Sequence, residues 1–351
     1  MDWLLLRKQA APPVNAKPSA GGCMIRLGTV FDWGERSIMK EKAEGGGKMS
    51  LKLNGTVKFK EDLKHYEVAE GIQLYTRIVT GKRGSRTEKD EKTALYIHGG
   101  GSGGNHTMLL RPGKWLIEQN LFDKVILPDR RGEGFSTPLT NKLTLRGHAA
   151  DMKNLLNVLK INEPISVIGI SYGGPIALEL AGMDERIDEV ILMASSPSLK
   201  EVKGIQGFLY RYGLLEKITK SFYKKNLGKL PIEYPDFEGV YDLETNRALT
   251  RYFVEAIKRT GGDQLESLMF QNASTLDKAN SGISQEISLE IPIYQVIGTE
   301  DEIWETDLKA YQNRFPHIIT HSVEGEKHKG VILNAAPFYE GLRTIYSKKS
   351  S

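Results

Sequence analysis

Ten consecutive residues constrain this chain more than any others: Ile165-Ser166-Val167-Ile168-Gly169-Ile170-Ser171-Tyr172-Gly173-Gly174. A run of branched apolar residues, suited to a strand buried on both faces, passes into Gly169-x-Ser171-x-Gly173. Ile176, Ala177, Leu180 and Ala181 then place apolar residues on one side of a helix. A serine at such a strand-to-helix turn is held in a strained backbone with its Oγ exposed, and the flanking glycines leave room for it. The new helix aims unpaired N–H groups and the positive end of its dipole at the same place. By itself G-x-S-x-G is a common pattern that an ordinary tight turn also satisfies. Its position between a buried strand and an apolar helix marks Ser171 as a candidate nucleophile.

The rest of the chain repeats the same rhythm. Tyr66 and Val68, then Ile72, Leu74, Thr76 and Ile78, alternate around Glu70-Gly71, as in an antiparallel hairpin at a sheet edge. Short apolar runs follow at Ala94–Ile97, Val125–Leu127, Ile165–Ile170, Val190–Ala194, Ile293–Ile297 and Ile318–Val323. Between them, Ala150, Leu155, Val158 and Leu159 suggest the apolar stripe of one helix. The expectation is an α/β domain with a doubly wound, mostly parallel sheet. From about 199 to 286 the rhythm stops. Those 88 residues hold 11 of the 29 aromatic residues, among them Phe208, Tyr210, Tyr212, Phe222 and Tyr223, and read as a mostly helical insertion over the sheet. The core is thereby divided into 49–198 and 287–351. Residues 1–48 carry no sustained period and end in Glu44-Gly45-Gly46-Gly47-Lys48, so they read either as a flexible extension or as residues ahead of a natural start of translation at Met49.

Other motifs surround the serine. His98-Gly99-Gly100-Gly101 ends an earlier strand; Asp129-Arg130-Arg131-Gly132-Glu133-Gly134-Phe135-Ser136 follows the next one. Together with the elbow, these residues resemble the α/β-hydrolase fold family over nearly all of 60–346. The resemblance implies that the glycine loop after His98 binds an oxyanion, with the N–H groups of Gly100 and Tyr172 as donors. Backbone N–H groups approach an oxyanion closely only where side chains are absent. A phosphate loop is the competing meaning of Gly99 to Gly104, but no Gly-Lys-Ser/Thr follows. The D-x-R-G-x-G-x-S turn is expected to be structural.

A serine nucleophile needs a base, and the base an orienting acid. In this fold they follow the serine in the order acid, then histidine. Of seven histidines, His65, His98, His106 and His148 precede Ser171, and His317 and His321 lie before or within the last strand. His328, just past it, stands where the family places its base, with His321 as the substitute. Ile297-Gly298-Thr299-Glu300-Asp301 matches the family's G-x-x-D and implies Asp301 as the acid, with Glu300 and Glu302 as neighbours.

These residues imply a serine hydrolase that cleaves a small carboxylic ester through an acyl-enzyme, with no cofactor. No H-E-x-x-H or cysteine pair suggests a metal centre. Serine at the elbow separates the chain from the dehalogenase and epoxide-hydrolase branches, which use aspartate there. An aminopeptidase of the prolyl iminopeptidase type is the alternative. That family carries His-Gly-Gly-Pro-Gly and a tryptophan after the nucleophile, whereas Gly101 and Tyr172 stand at those positions here. A non-catalytic binding protein on the same fold is a third possibility. Charge narrows the partners: of the net +4, residues 1–48 contribute +3, with eight basic and five acidic side chains. The remainder offers little basis for nucleic-acid binding. No apolar run approaches the roughly 18 residues needed to span a bilayer, and a single cysteine, Cys23, excludes an internal disulfide. The expected setting is the cytoplasm, and the expected partner a small-molecule ester, amide or peptide.

Overall fold

The computed structural model describes residues 51–82, 91–99, 105–195, 282–301, 310–328 and 330–349, with isolated positions at 208, 209, 212, 214 and 217. Eight strands form one sheet: β1 (Lys58–Ala69), β2 (Ile72–Lys82), β3 (Thr93–Ile97), β4 (Lys124–Pro128), β5 (Ile165–Ile170), β6 (Ile187–Met193), β7 (Ile293–Gly298) and β8 (Ile319–Val323). Their spatial order is β1-β2-β4-β3-β5-β6-β7-β8. The β1–β2 hairpin and the β2–β4 pair are antiparallel; every later pairing is parallel. The hairpin turns at Glu70-Gly71, where Gly71 takes φ +68°, a conformation that glycine adopts without a side-chain penalty.

The helices are α1 (Thr107–Glu118), α2 (Leu145–Val158), α3 (Gly173–Ala181), α4 (Ala310–Arg314), α5 (Gly330–Leu333) and α6 (Ala335–Lys349). Successive strand residues face opposite sides of the sheet, and each side carries its own core. Tyr96, Leu127, Ile168, Met193 and Val296 pack with Trp115 and Leu116 of α1 and Phe338, Tyr339 and Leu342 of α6. Leu95, Ile97, Ile126, Val167 and Leu192 pack with Met152 and Leu155 of α2 and Ile176, Ala177 and Leu180 of α3. Each buried Leu, Ile, Val, Met or Phe side chain contributes about 1.5–3 kcal/mol. Two-sided burial explains why the central strands read as unbroken apolar runs.

The stripe expected on α2 is displaced. Val158 is exposed, and Ala150 and Leu159 are half-buried. The buried face is Leu145, Ala149, Met152, Leu155 and Leu156, joined by His148 and Asp151. Two of its members are polar, which hid the 3.6-residue period. The expected strands Val190–Ala194 and Ile318–Val323 are likewise offset, to Ile187–Met193 and Ile319–Val323. Ala194 falls outside β6 because its φ of +43° ends the extended backbone. Helices α1 and α6 had no counterpart in the sequence expectations. The expected extension at 1–48, and the expected insertion at 199–286 except for 208, 209, 212, 214, 217 and 282–286, lie outside the described residues.

Candidate active site

Strand β3 is followed by β4 on one side and β5 on the other. In open parallel sheets, ligands bind where successive connections part in this way, beyond the carboxyl ends of the strands. His98 and Gly99 leave β3 there, and Ser171 leaves β5. Pairing of Ile97 with Gly169 brings the two ends side by side. A Cβ added to Gly99 would lie 3.3 Å from the Ser171 Cβ, a contact tighter than most, so the first loop packs closely against the serine.

Ser171 takes φ +50°, left-handed backbone that costs a non-glycine residue about 1–2 kcal/mol. The strain is held by its N–H donating to the Met193 carbonyl at 3.0 Å and by Gly174 N–H donating to the Ser171 carbonyl at 2.9 Å. Gly169 and Gly173 are required for a second reason. A Cβ on Gly169 would run into the Gly173 backbone, and one on Gly173 into the Ile97 and His98 carbonyls. The elbow is thus wedged against β3 with no room for side chains.

Asp301 and His328 come from the loops after β7 and β8, which are joined directly. Thr299 N–H donates to the Val323 carbonyl at 3.0 Å and Glu300 N–H to the Glu326 carbonyl at 2.9 Å. Gly325 N–H donates to Thr299 Oγ1 at 2.9 Å. A side chain at Gly298 would collide with Glu326, so that glycine lets the two loops close. Across this junction His328 Nδ1 lies 2.8 Å from Asp301 Oδ2, and His328 Nε2 lies 3.0 Å from Ser171 Oγ. Both distances are ordinary for hydrogen bonds. An ionised carboxylate can only accept, so the consistent pattern has Nδ1–H donating to Asp301 and Nε2 accepting from the Ser171 hydroxyl. All three side chains are buried. His321, the substitute base, instead sits in β8 opposite Val296 and against Gly341 of α6.

The glycine-loop side is organised by His98 and Arg130, both fully buried. His98 Nδ1 donates to the Gly99 carbonyl at 2.9 Å, and His98 Nε2 accepts the Arg130 N–H at 3.0 Å. Only the neutral ring satisfies both. Burial, and secondarily the Arg130 charge, push the His98 pKa down to about 3. His98 is therefore a fixed strut. The Arg130 guanidinium donates through Nη2 to the same Gly99 carbonyl at 2.7 Å and lies 5.1 Å from the centre of the Tyr172 ring. Gly100 and Gly101 lie outside the described residues.

The turn expected to be structural is a brace. Asp129 Oδ1 accepts from His106 N–H at 2.7 Å and from His106 Nδ1 at 2.8 Å. Asp129 Oδ2 accepts from Phe135 N–H at 3.2 Å, and Ser136 Oγ donates to the Asp129 carbonyl at 2.6 Å. Arg131 forms a bidentate pair with Asp151 of α2. Sequence reasoning gave no role to His106, Arg130 or His148. His148 is fully buried beside Tyr172, and neither of its ring nitrogens finds a hydrogen-bond partner among the described residues. Its burial, together with the Arg130 charge, holds its pKa well below the usual histidine value. Of the aromatic group in the insertion, Phe208 and Tyr212 are exposed with ring centres 4.7 Å apart; Tyr210, Phe222 and Tyr223 lie outside the described residues.

Among the described residues no group of three or more His, Cys, Asp or Glu side chains is placed to hold a metal ion. No described helix is long and apolar enough to cross a membrane.

The sequence profile of the family described as the alpha/beta hydrolase fold matches residues 92–335. The 2-hydroxy-6-oxo-6-phenylhexa-2,4-dienoate hydrolase of Rhodococcus sp. strain RHA1 superposes with a TM-score of 0.56 at 18% identity, over 83% of this chain and 100% of that one. A thermophilic esterase from Thermogutta terrifontis gives 0.54 at 17% identity, over 82% and 98%. At such identities the likeness is one of fold. Among curated proteins, the magnesium-chelatase 30 kDa subunit of Rhodobacter capsulatus is 31% identical over 122 residues, which is 34% of this chain. The match spans only 40% of that protein's length.

Proposed function

The chain belongs to the alpha/beta hydrolase fold family, and from that premise we propose that it is a serine hydrolase cleaving a small carboxylic ester through an acyl-enzyme. The observation that carries this reading is the buried relay from Ser171 Oγ to His328 Nε2, at 3.0 Å, and from His328 Nδ1 to Asp301 Oδ2, at 2.8 Å. A hydroxyl is a poor nucleophile until a base takes its proton, and the base works only in the correct tautomer. Asp301 supplies that tautomer, because its carboxylate accepts from Nδ1–H and leaves the Nε2 lone pair facing the serine.

In the first half-reaction Ser171 Oγ attacks the ester carbonyl carbon as its proton passes to His328 Nε2. The carbonyl oxygen becomes an oxyanion held by the N–H groups of Gly100 and Tyr172. Asp301 stays ionised and stabilises the imidazolium. His328 then protonates the alcohol oxygen, the C–O bond breaks, and the acyl group remains on Ser171. Water, deprotonated by His328, repeats the sequence, releasing the carboxylic acid and restoring the serine.

An ester makes a smaller demand on His328 than an amide, since an alcohol leaves more readily than an amine. The insertion also lacks an obvious concentration of acid to hold a substrate ammonium group, with 13 basic and 12 acidic residues over 199–286. A panel of short- and medium-chain p-nitrophenyl esters run beside proline p-nitroanilide, with Ser171→Ala as the blank, tests the substrate class. Ester kcat/KM well above that for the anilide supports the proposal; efficient proline release with negligible ester turnover replaces it with the aminopeptidase alternative.

A further inference from the structure

Two backbone carbonyls next to the reacting serine are gripped from behind by buried side chains that the reaction itself does not use. The first is the carbonyl of Ser171. It accepts from Ser195 Oγ at 2.7 Å and from Gly174 N–H at 2.9 Å. A peptide unit is planar and trans, so fixing the Ser171 C=O fixes the opposite direction of the N–H in the same unit, which belongs to Tyr172. The second is the carbonyl of Gly99, gripped by Arg130 Nη2 at 2.7 Å and His98 Nδ1 at 2.9 Å. That grip fixes the direction of the Gly99 carbonyl. Arg130 also lies against the Tyr172 ring, so one guanidinium touches both sides of the site.

The cost of this arrangement argues for a purpose. Ser195 is fully buried, and the chain reaches it through Ala194 at φ +43°, a left-handed conformation unfavourable for alanine. Strain of that kind persists only where the surroundings over-determine it, and it clusters at functional sites. Ala194 N–H is anchored to the Val296 carbonyl at 2.8 Å, and the Ser195 carbonyl accepts from Gln295 Nε2 at 3.4 Å. The turn that delivers the hydroxyl is thereby fastened to β7. Arg130 is equally costly, being a buried guanidinium whose nearest carboxylate, Glu133 Oε1, is 3.7 Å from Nη2. It also occupies the variable second position of the D-x-R-G-x-G-x-S turn, where the turn itself makes no demand for arginine.

We propose that Ser195 and Arg130 are positioning residues for oxyanion binding: they hold the carbonyl ends of the Ser171–Tyr172 peptide and of the glycine loop so that the donors do not need to reorganise as charge develops. Preorganisation of that kind is a large part of transition-state stabilisation. The inference rests on the assignment of Gly100 and Tyr172 as donors in the serine-hydrolase reading above.

The test uses Ser195→Ala, Arg130→Met and Arg130→Lys in the full chain, with a fluorophosphonate probe and a p-nitrophenyl ester. Final labelling stoichiometry counts folded, competent sites; labelling rate and kcat per labelled site report the oxyanion donors. Loss of a direct donor costs about 10²–10³ in kcat, so an indirect grip should cost less. Ser195→Ala is expected to lower kcat per site about tenfold, and Arg130→Met by about tenfold to a hundredfold. In both, KM should stay within about threefold and the labelling rate should fall in parallel with kcat. Arg130→Lys, which keeps a charged donor, should fall between Met and the parent. A merely structural role predicts a lower melting temperature with unchanged kcat and labelling rate per site, and that result overturns the proposal. Should Arg130→Met fail to fold, Ser195→Ala decides alone: kcat per site within twofold of the parent refutes the grip. If the parent is not labelled and Ser171→Ala keeps full turnover, the serine-hydrolase reading itself has failed. If labelling and Ser171→Ala behave as expected while Ser195→Ala is silent, only the positioning claim falls.

Discussion

Replacing His148 by phenylalanine should make the protein less sensitive to acid, by an amount the buried environment sets. In the folded chain His148 is fully buried without a hydrogen-bond partner for either nitrogen among the described residues, and its pKa lies well below the ordinary value of 6.5. Unfolding exposes the ring to water and returns it to that ordinary value. Below pH 6.5 the unfolded chain therefore binds a proton at this position that the folded chain does not, and stability falls as pH falls. Each such proton contributes a slope of about 1.4 kcal/mol per pH unit. Between pH 7.5 and pH 5 one histidine of this kind removes about 2 kcal/mol. His98, held down to about 3, adds a second proton over much of the same window. Both groups steepen the loss of stability as pH falls below 6.5, and His148→Phe should remove about half of that slope near pH 5. At pH 7.5 the substitution should change stability little, because an unpaired polar ring is exchanged for an apolar one of similar shape. Urea unfolding of parent and variant at half-unit steps from pH 5 to 8 measures the difference directly. Parallel curves would mean that His148 takes up its proton as readily in the folded chain as in the unfolded one, and the reasoning would be wrong.

Three other outcomes follow from the geometry. Gly169→Ala should cost about 3 kcal/mol or prevent folding, because the new methyl meets backbone of Gly173 and Gly174 that has nowhere to move; the midpoint of urea unfolding reads this. Asp301→Asn should lower kcat by about 10³–10⁴ through loss of the productive His328 tautomer, whereas Glu300→Gln should cost less than about threefold; steady-state ester kinetics on both variants rank the acids. His321→Ala should keep ester kcat within about threefold, since His321 packs against Gly341 on α6; a loss matching that of Ser171→Ala would reassign the base.

Much of the fold was legible because its strands are buried on both faces. Leu95, Ile126, Val167 and Val190 have no polar alternatives to dilute the signal, and each run fell on an observed strand. The elbow was legible for a different reason: a serine between obligatory glycines at a strand end has few sequence equivalents. Reading failed where burial is not apolar. The inner face of α2 carries His148 and Asp151, so its period was placed on the wrong side. The grip of Ser195 on the Ser171 carbonyl depends on the left-handed turn at Ala194, a backbone state no alanine announces. Arg130 stands at a position of the turn motif that names no residue type, so the pattern assigned it no separate role. Only the fold carries it beneath the Gly99 carbonyl, where its guanidinium is fully buried.

The central claim is that Ser171, activated through His328, is an acyl-accepting nucleophile. The most direct measurement is incubation of the parent protein with a fluorophosphonate, followed by peptide mass spectrometry to locate the adduct, with Ser171→Ala and His328→Ala in parallel. The account predicts one equivalent of label on Ser171, ester hydrolysis lost in step with labelling, and neither labelling nor turnover in Ser171→Ala. His328→Ala should label slower by at least about a hundredfold. An unlabelled parent, or a Ser171→Ala variant that still hydrolyses esters at the parental rate, would contradict it.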